Sequence, residues 1–197
     1  MRLFAALVMP EEVRESVTAW WTAARVHLPD AQWRDVSEAN WHVTLAFYGD
    51  VDGDCVDGLV EALSDCALTS PVQHLRMKGV GVFPNMNRPK VFWLGIDDAE
   101  GQGGLQELAR CCRRAGRATV RKRSAKDTPF QGHVTLARRR GFPSPLAPDV
   151  LMAMPDTPEV IWQAAALRLY RSELHRSGAR YRVLEEFELA AESRREG

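Results

Sequence analysis

Apolar residues recur along this chain at two spacings, one helical and one alternating, and they divide it into short strands and amphipathic helices. Met1 to Met9 is an unbroken apolar stretch after Arg2 and is expected to be a strand; Pro10 ends it, and Glu11-Glu12 follow where negative charge favours the start of a helix. Val13, Val17, Trp20, Trp21 and Ala24 then fall on one helical face as far as Arg25. Val56, Leu59, Val60, Leu63 and Ala67 mark a second such helix. A third is expected from Gly103 to Ala115, with Leu105, Leu108 and Cys112 turned inward and Gly116 as its stop. The remaining apolar runs are strand-like: Ala31 to Arg34, Val72 to Val82, Lys90 to Ile96, Val160 to Tyr170 and Ala179 to Leu189. Between them lie a turn at Gly49 to Asp54, a Pro- and Asn-rich loop at Phe83 to Pro89, and a basic connection from Arg117 to Asp127. Further loops follow at Gly141 to Pro148 and around Ser177-Gly178, with a short helix at Asp149 to Met154 and a polar tail from Ala190.

One strand pattern occurs twice. His42-Val43-Thr44-Leu45-Ala46 returns, residue for residue, as His133-Val134-Thr135-Leu136-Ala137. Turn-forming residues stand near each copy, Asn40 and Gly49 for the first, Gly132 and Gly141 for the second. On a strand the side chains alternate, so each copy offers an imidazole and a hydroxyl on one face. Elements recur on either side of a midpoint near residue 100, which predicts two similar α+β lobes, each bringing one histidine strand to a shared cleft.

Composition limits what that cleft could do. With 197 residues, 45% of them apolar, the chain can bury a core as one domain or two small lobes. Lys plus Arg and Asp plus Glu balance at 26 each, which argues against a protein that coats nucleic acid non-specifically and leaves a local basic cleft possible. The opening apolar stretch is too short for a signal peptide and no run is long enough for a membrane span, so a soluble, cytoplasmic protein is expected. Cys55, Cys66, Cys111 and Cys112 lack zinc-site spacing, and the adjacent pair reads as reduced thiols rather than a disulfide framework.

Two imidazoles facing a cleft suit acid–base chemistry, because a pKa near 6.5 lets one hold a proton while the other lacks it. Displacement at phosphorus needs a base for the attacking oxygen, an acid for the leaving oxygen and donors to the phosphoryl oxygens. Two His-x-Thr units supply all three without a metal or cofactor. Most strand histidines are structural, and His27, His74 and His175 are assigned so; the repeat is what lifts His42 and His133 above that reading. A zinc site would need further ligands at recognisable spacing, and a serine nucleophile would need an elbow motif. Neither pattern is present.

The ordered set of motifs resembles the two-histidine phosphoesterase superfamily, and within it the bacterial and archaeal RNA 2′,3′-cyclic phosphodiesterases, also named 2′-5′ RNA ligases. The resemblance is carried by Arg2-Leu3-Phe4-Ala5-Ala6-Leu7, the first motif extended through Phe47-Tyr48-Gly49, Gly81-Val82-Phe83-Pro84-Asn85, and Arg88-Pro89-Lys90-Val91-Phe92-Trp93. It continues with Phe130 before His133 to Arg138, then Arg171-Ser172-Glu173-Leu174 and Tyr181. It implies a single domain over residues 1–197, an α+β fold of two intertwined lobes, with pseudo-symmetric antiparallel sheets, outer helices and a central active-site cleft. The motifs, at 42–45 and 133–136, lie one in each lobe. It further implies hydrolysis of RNA 2′,3′-cyclic phosphate ends to 2′-phosphomonoesters by a monomer. His42 would be proton donor and His133 proton acceptor, Thr44, Thr135 and Arg138 would bind phosphate, and Phe47 would stack on the terminal base. Metal-free ligation of tRNA halves through a 2′-5′ linkage, and RNA-end binding without turnover, are the alternatives.

Strand parity conflicts with two of those transfers. Phe47 and Arg138 lie five positions after their histidines and would face the other way on an undisturbed strand, leaving Tyr48 and Arg139 on the histidine face. A bulge or a strand end could restore them. The chain also carries Gln131-Gly132 where the family commonly has a basic residue and proline, which is expected to loosen the approach to His133 and weaken RNA contacts.

Overall fold

A computed structural model describes residues 1–121, 129–142, 144–175 and 178–191. The basic connection therefore lies outside the described residues beyond Arg121, including Lys122, Arg123 and Lys126, as do Ser177 and the end of the tail. The chain runs β1 (Arg2–Val8), α1 (Glu11–Arg25), β2 (Trp33–Asp35), β3 (His42–Asp50), α2 (Val56–Thr69), β4 (Gln73–Phe83) and β5 (Val91–Asp98). It continues with α3 (Gly104–Thr119), β6 (His133–Arg139), α4 (Pro148–Met152), β7 (Ile161–Ala164), β8 (Ala166–His175) and β9 (Gly178–Glu188).

These strands form two antiparallel sheets, one ordered β3-β1-β8-β9 and the other β2-β6-β5-β4-β7. Each sheet draws on both halves of the chain, so residue 100 divides nothing. Early β2 sits in the second sheet and late β8 and β9 complete the first. The stretch expected as one strand from Val160 to Tyr170 is broken at Ala165: β7 joins the second sheet and β8 the first. An apolar run of that length does not reveal that its halves pair with different partners. The region expected as a turn from Gly49 is also shorter, because β3 carries on to Asp50.

The helices back the sheets with the faces their periodicity predicts. In α1 the buried residues are Val13, Val17, Trp20, Trp21 and Ala24, and Trp21 stacks 5.4 Å from Phe92 of β5. The Trp20 indole N–H donates to the Pro155 carbonyl at 3.2 Å, tying this helix over the second sheet. Helices α2 and α3 pack on each other, α2 against β9 and α3 against β3 behind the first sheet. Helix α3 passes through Gly116 rather than stopping there. A Cβ at Gly116 would lie 2.5 Å from the Tyr48 ring, so glycine serves the close approach of helix to strand. The expectation that Cys111 and Cys112 are both reduced thiols is corrected too: Cys66 of α2 is disulfide-bonded to Cys111 of α3, with Cα atoms 5.9 Å apart. Adjacent positions on a helix point about 100° apart, so Cys111 meets α2 while Cys112 enters the core, where burial pushes its thiol pKa up to about 12.

Candidate active site

Strand β3 is the edge of the first sheet, and it abuts β6 of the second, so the two histidine strands run together where the sheets meet. The parity conflict resolves in the pairing. Opposite β1, Ala6 pairs with Thr44 and Ala5 with Ala46, which leaves Leu45 as an extra residue. Opposite β5, Trp93 pairs with Thr135 and Phe92 with Ala137, which leaves Leu136 extra in the same place of the second copy. Each is a β-bulge, and one inserted residue reverses the facing of everything after it. Phe47 and Arg138 consequently return to the histidine face. Burial follows the same switch: Leu45-Ala46 and Leu136-Ala137 are buried side by side, and Phe47 and Arg138 are exposed.

Their neighbours turn inward. Tyr48 is buried and its hydroxyl donates to the Cys112 carbonyl at 3.2 Å. Arg139 lies over the Trp33 ring at 5.5 Å and its guanidinium donates to Gln32 and Ser144. Of each flanking pair, then, one member is structural and the other faces the cleft.

The two imidazoles are held alike. His42 Nδ1 is 2.7 Å from the Asn40 carbonyl and His133 Nδ1 is 2.7 Å from the Gln131 carbonyl, two residues upstream in both cases. A carbonyl only accepts, so each Nδ1 carries a hydrogen and each Nε2 is the atom left to exchange protons. Aromatic walls fix the ring planes. Phe4 lies 4.9 Å from His42 and Tyr181 5.3 Å from it edge-on; Phe83 stands edge-on to His133 at 4.9 Å, with Trp93 at 6.2 Å. Phe4, Phe83, Trp93 and Tyr181 belong to the motif set read from the sequence, but their work around the imidazoles became apparent only from the packing. Tyr170, stacked on Phe4 at 5.1 Å, had no sequence signal beyond a strand position.

Burial, and to a lesser degree nearby charge, disfavours protonated histidine in the site. Burial lowers the His42 pKa to about 4, opposed by its carbonyl partner and reinforced by His133 and Arg138. Burial likewise lowers the His133 pKa, again opposed by its carbonyl and reinforced by Arg138. Arg138 therefore stands within electrostatic reach of both rings. Thr44 and Thr135 are partly buried, and their hydroxyls have no hydrogen-bond partner among the described residues. The expected loosening at Gly132 is not what the backbone adopts: a Cβ there would lie 2.3 Å from the Ile96 carbonyl oxygen, and the Ile96 N–H donates to the Gly132 carbonyl at 2.9 Å. Glycine lets β6 start in tight contact with β5. Among the described residues no three His, Cys, Asp or Glu side chains gather as a metal-binding group, and no helix is long and apolar enough to cross a membrane.

Duplicated His-x-Thr units on two abutting antiparallel sheets define a two-histidine phosphoesterase. Residues 7–93 match the family described as LigT like Phosphoesterase. A Thermus thermophilus protein named RNA 2′,3′-cyclic phosphodiesterase is 35% identical over 205 residues, spanning 100% of this chain and 94% of its own. Among solved structures, TT0787 of Thermus thermophilus matches with a TM-score of 0.82 at 30% identity, over 98% of this chain and 100% of that one. Escherichia coli LigT complexed with 3′-AMP matches with a TM-score of 0.74 at 27% identity, over 95% and 97%. The chain belongs to the LigT-like phosphoesterase family.

Proposed function

We propose that the protein hydrolyses RNA 2′,3′-cyclic phosphate ends to 2′-phosphomonoesters, with protein groups alone carrying the proton transfers. The observation that carries this reading is the pair of imidazoles, each fixed through Nδ1 to a carbonyl, with one guanidinium acting on both. The family supports it, as does a relative that bears the name RNA 2′,3′-cyclic phosphodiesterase and covers the chain end to end.

In this scheme His133 Nε2 takes a proton from water as its oxygen attacks phosphorus. The P–O3′ bond breaks, and His42 Nε2–H delivers a proton to O3′, so that one water is added and a 3′-hydroxyl is freed. Thr44 and Thr135 donate to the non-bridging oxygens, and Arg138 adds a charged donor. Phe47, 64% exposed, presents a face to the terminal base. The unliganded site holds both histidines neutral, so the acid must acquire its proton with the substrate. A phosphate anion bound beside the rings favours the protonated form of His42, opposing burial and offsetting the smaller contribution of Arg138.

The test is turnover of a cyclic-phosphate RNA in EDTA with the product isomer resolved. A 2′-phosphate is expected, and His42→Ala and His133→Ala should each abolish turnover while unfolding cooperatively like the parent. Wild-type rates in both variants would refute the scheme, a 3′-phosphate would overturn the assigned leaving group and roles, and tight binding with no product would leave an RNA-end-binding module.

A further inference from the structure

Arg138 has a neighbour of the same charge. In the β2–β6 ladder Arg34 lies directly opposite it, and directly opposed residues project from one face of a sheet. Because the bulge returns Arg138 to the face of Thr135, Arg34 reaches that face as well. The ladder continues beyond β6, where the Arg140 N–H donates to the Gln32 carbonyl at 2.8 Å, so the next alternate position of the strand is again an arginine. All three are exposed, and none has a hydrogen-bonding or ion-pair partner for its guanidinium among the described residues.

Several cations elsewhere in the molecule are neutralised by a carboxylate. Arg25 pairs with Asp35 at 2.7 Å, Lys78 with Asp97 at 2.7 Å and Arg171 with Glu173 at 3.2 Å, and on the facing sheet Arg168 pairs with Glu186. Like charges directly opposite across a ladder destabilise a sheet, and a polyanion lying along the row would reverse that penalty. Phe142, 98% exposed, stands two residues beyond Arg140, and guanidinium groups interleaved with an exposed ring are what single-stranded nucleic acid uses.

We propose that Arg34 and Arg140 bind phosphodiesters upstream of the reacting cyclic phosphate, so that the enzyme acts on polymeric RNA ends in preference to mononucleoside cyclic phosphates. This rests on the phosphodiesterase reading of the site. Arg138 serves the reacting phosphate, and the RNA body leaves the cleft along the β2–β6 edge.

The experiment compares a nucleoside 2′,3′-cyclic phosphate with a short oligoribonucleotide ending in the same group, for the wild type, Arg34→Gln and Arg140→Gln, between about 50 and about 200 mM salt. Each variant is expected to raise KM for the oligonucleotide several-fold, to reduce the salt slope by about 0.7 per lost contact, and to leave the mononucleotide kinetics unchanged. Arg34→Gln should unfold at no lower temperature than the parent, since it removes a repulsion. Equal losses on both substrates would place Arg34 at the reacting phosphate or in the fold, and unchanged oligonucleotide kinetics would remove it from RNA binding; either overturns the proposal. Retention on anionic vesicles or an acidic protein that depends on Arg34, with RNA kinetics unmoved, would reassign the surface and overturn it too. If the wild type turns over neither substrate, the phosphodiesterase reading is what fails. Fluorescence anisotropy of the labelled oligonucleotide then decides this one, with weaker binding by both variants expected and equal binding refuting it.

Discussion

Holding His42 neutral should make the fold sensitive to acid. In the native protein its pKa is lowered from 6.5 to about 4, chiefly by burial, whereas in the unfolded chain it returns to about 6.5. A folded-state pKa below the unfolded one means that the unfolded chain binds more protons in that interval. The stability that neutral His42 confers is therefore complete above pH 6.5 and is lost as pH falls through 6.5 toward 4. A difference of about 2.5 between 6.5 and about 4, at roughly 1.36 kcal/mol each, amounts to about 3 kcal/mol. At pH 4.5 the unfolded imidazole is about 99% protonated and the native one only about a quarter, so about 2.5 kcal/mol of that is already expressed. Urea unfolding of the wild type and His42→Gln at pH 7.5 and pH 4.5 isolates it, because carboxylates and His133 are common to both proteins. The wild type is expected to lose about 2.5 kcal/mol more than the variant between the two pH values. Parallel losses, within about 0.5 kcal/mol, would show that His42 is not kept neutral by the fold, and the argument that its proton arrives with the substrate would fall with it.

Three further outcomes follow from the packing. Arg138→Gln should lower kcat/KM by roughly tenfold or more and raise both histidine pKa values in an NMR titration, whereas Arg139→Gln should mainly lower the unfolding temperature, since Arg139 is spent on Trp33, Gln32 and Ser144. Gly132→Ala should cost about 1–3 kcal/mol and slow turnover, because its new methyl meets the Ile96 carbonyl at the foot of the His133 strand; urea unfolding and steady-state kinetics measure the two effects. Reducing the Cys66–Cys111 bond, which closes a loop of 45 residues, should cost up to about 4 kcal/mol by chain entropy and leave kcat/KM unchanged, because it lies on the helices behind the first sheet.

Periodicity disclosed elements whose faces are set locally. The buried stripe of α1 was legible to the residue because five apolar positions at helical spacing leave little alternative. What depended on a partner was not legible. Gly116 looks like a helix stop until Tyr48 is seen against it, and Gly132 looks like slack until the Ile96 carbonyl is placed. Val160 to Tyr170 looks like one strand because both halves are apolar, and only the sheet order separates them. The cysteines were misjudged because adjacency in sequence says nothing of which helix each one meets. The parity conflict was visible as a conflict, and its solution left a trace: in both copies two apolar residues stand side by side, Leu45-Ala46 and Leu136-Ala137, where strict alternation would place one inside and one outside. The Arg34–Arg138 juxtaposition needed the register of a three-residue strand, which no pattern in Ala31 to Arg34 specifies.

The paired bulges also bear on how such a site could diversify. Each bulge separates the part of the strand that holds the imidazole and hydroxyl from the part that chooses what stands beside them. The residue after the switch stands on the exposed side of the strand: Phe47, 5.8 Å from the Phe4 ring, and Arg138 lie opposite Tyr48 and Arg139, whose side chains anchor the strand from behind. A duplicated half-site of this kind can keep its chemistry fixed while each copy acquires its own ligand preference by a single substitution at one permissive position. In this chain the two copies have taken an aromatic ring and a guanidinium, and under the proposed function a ligand with a base at one end and a phosphate at the other would meet them in one orientation only.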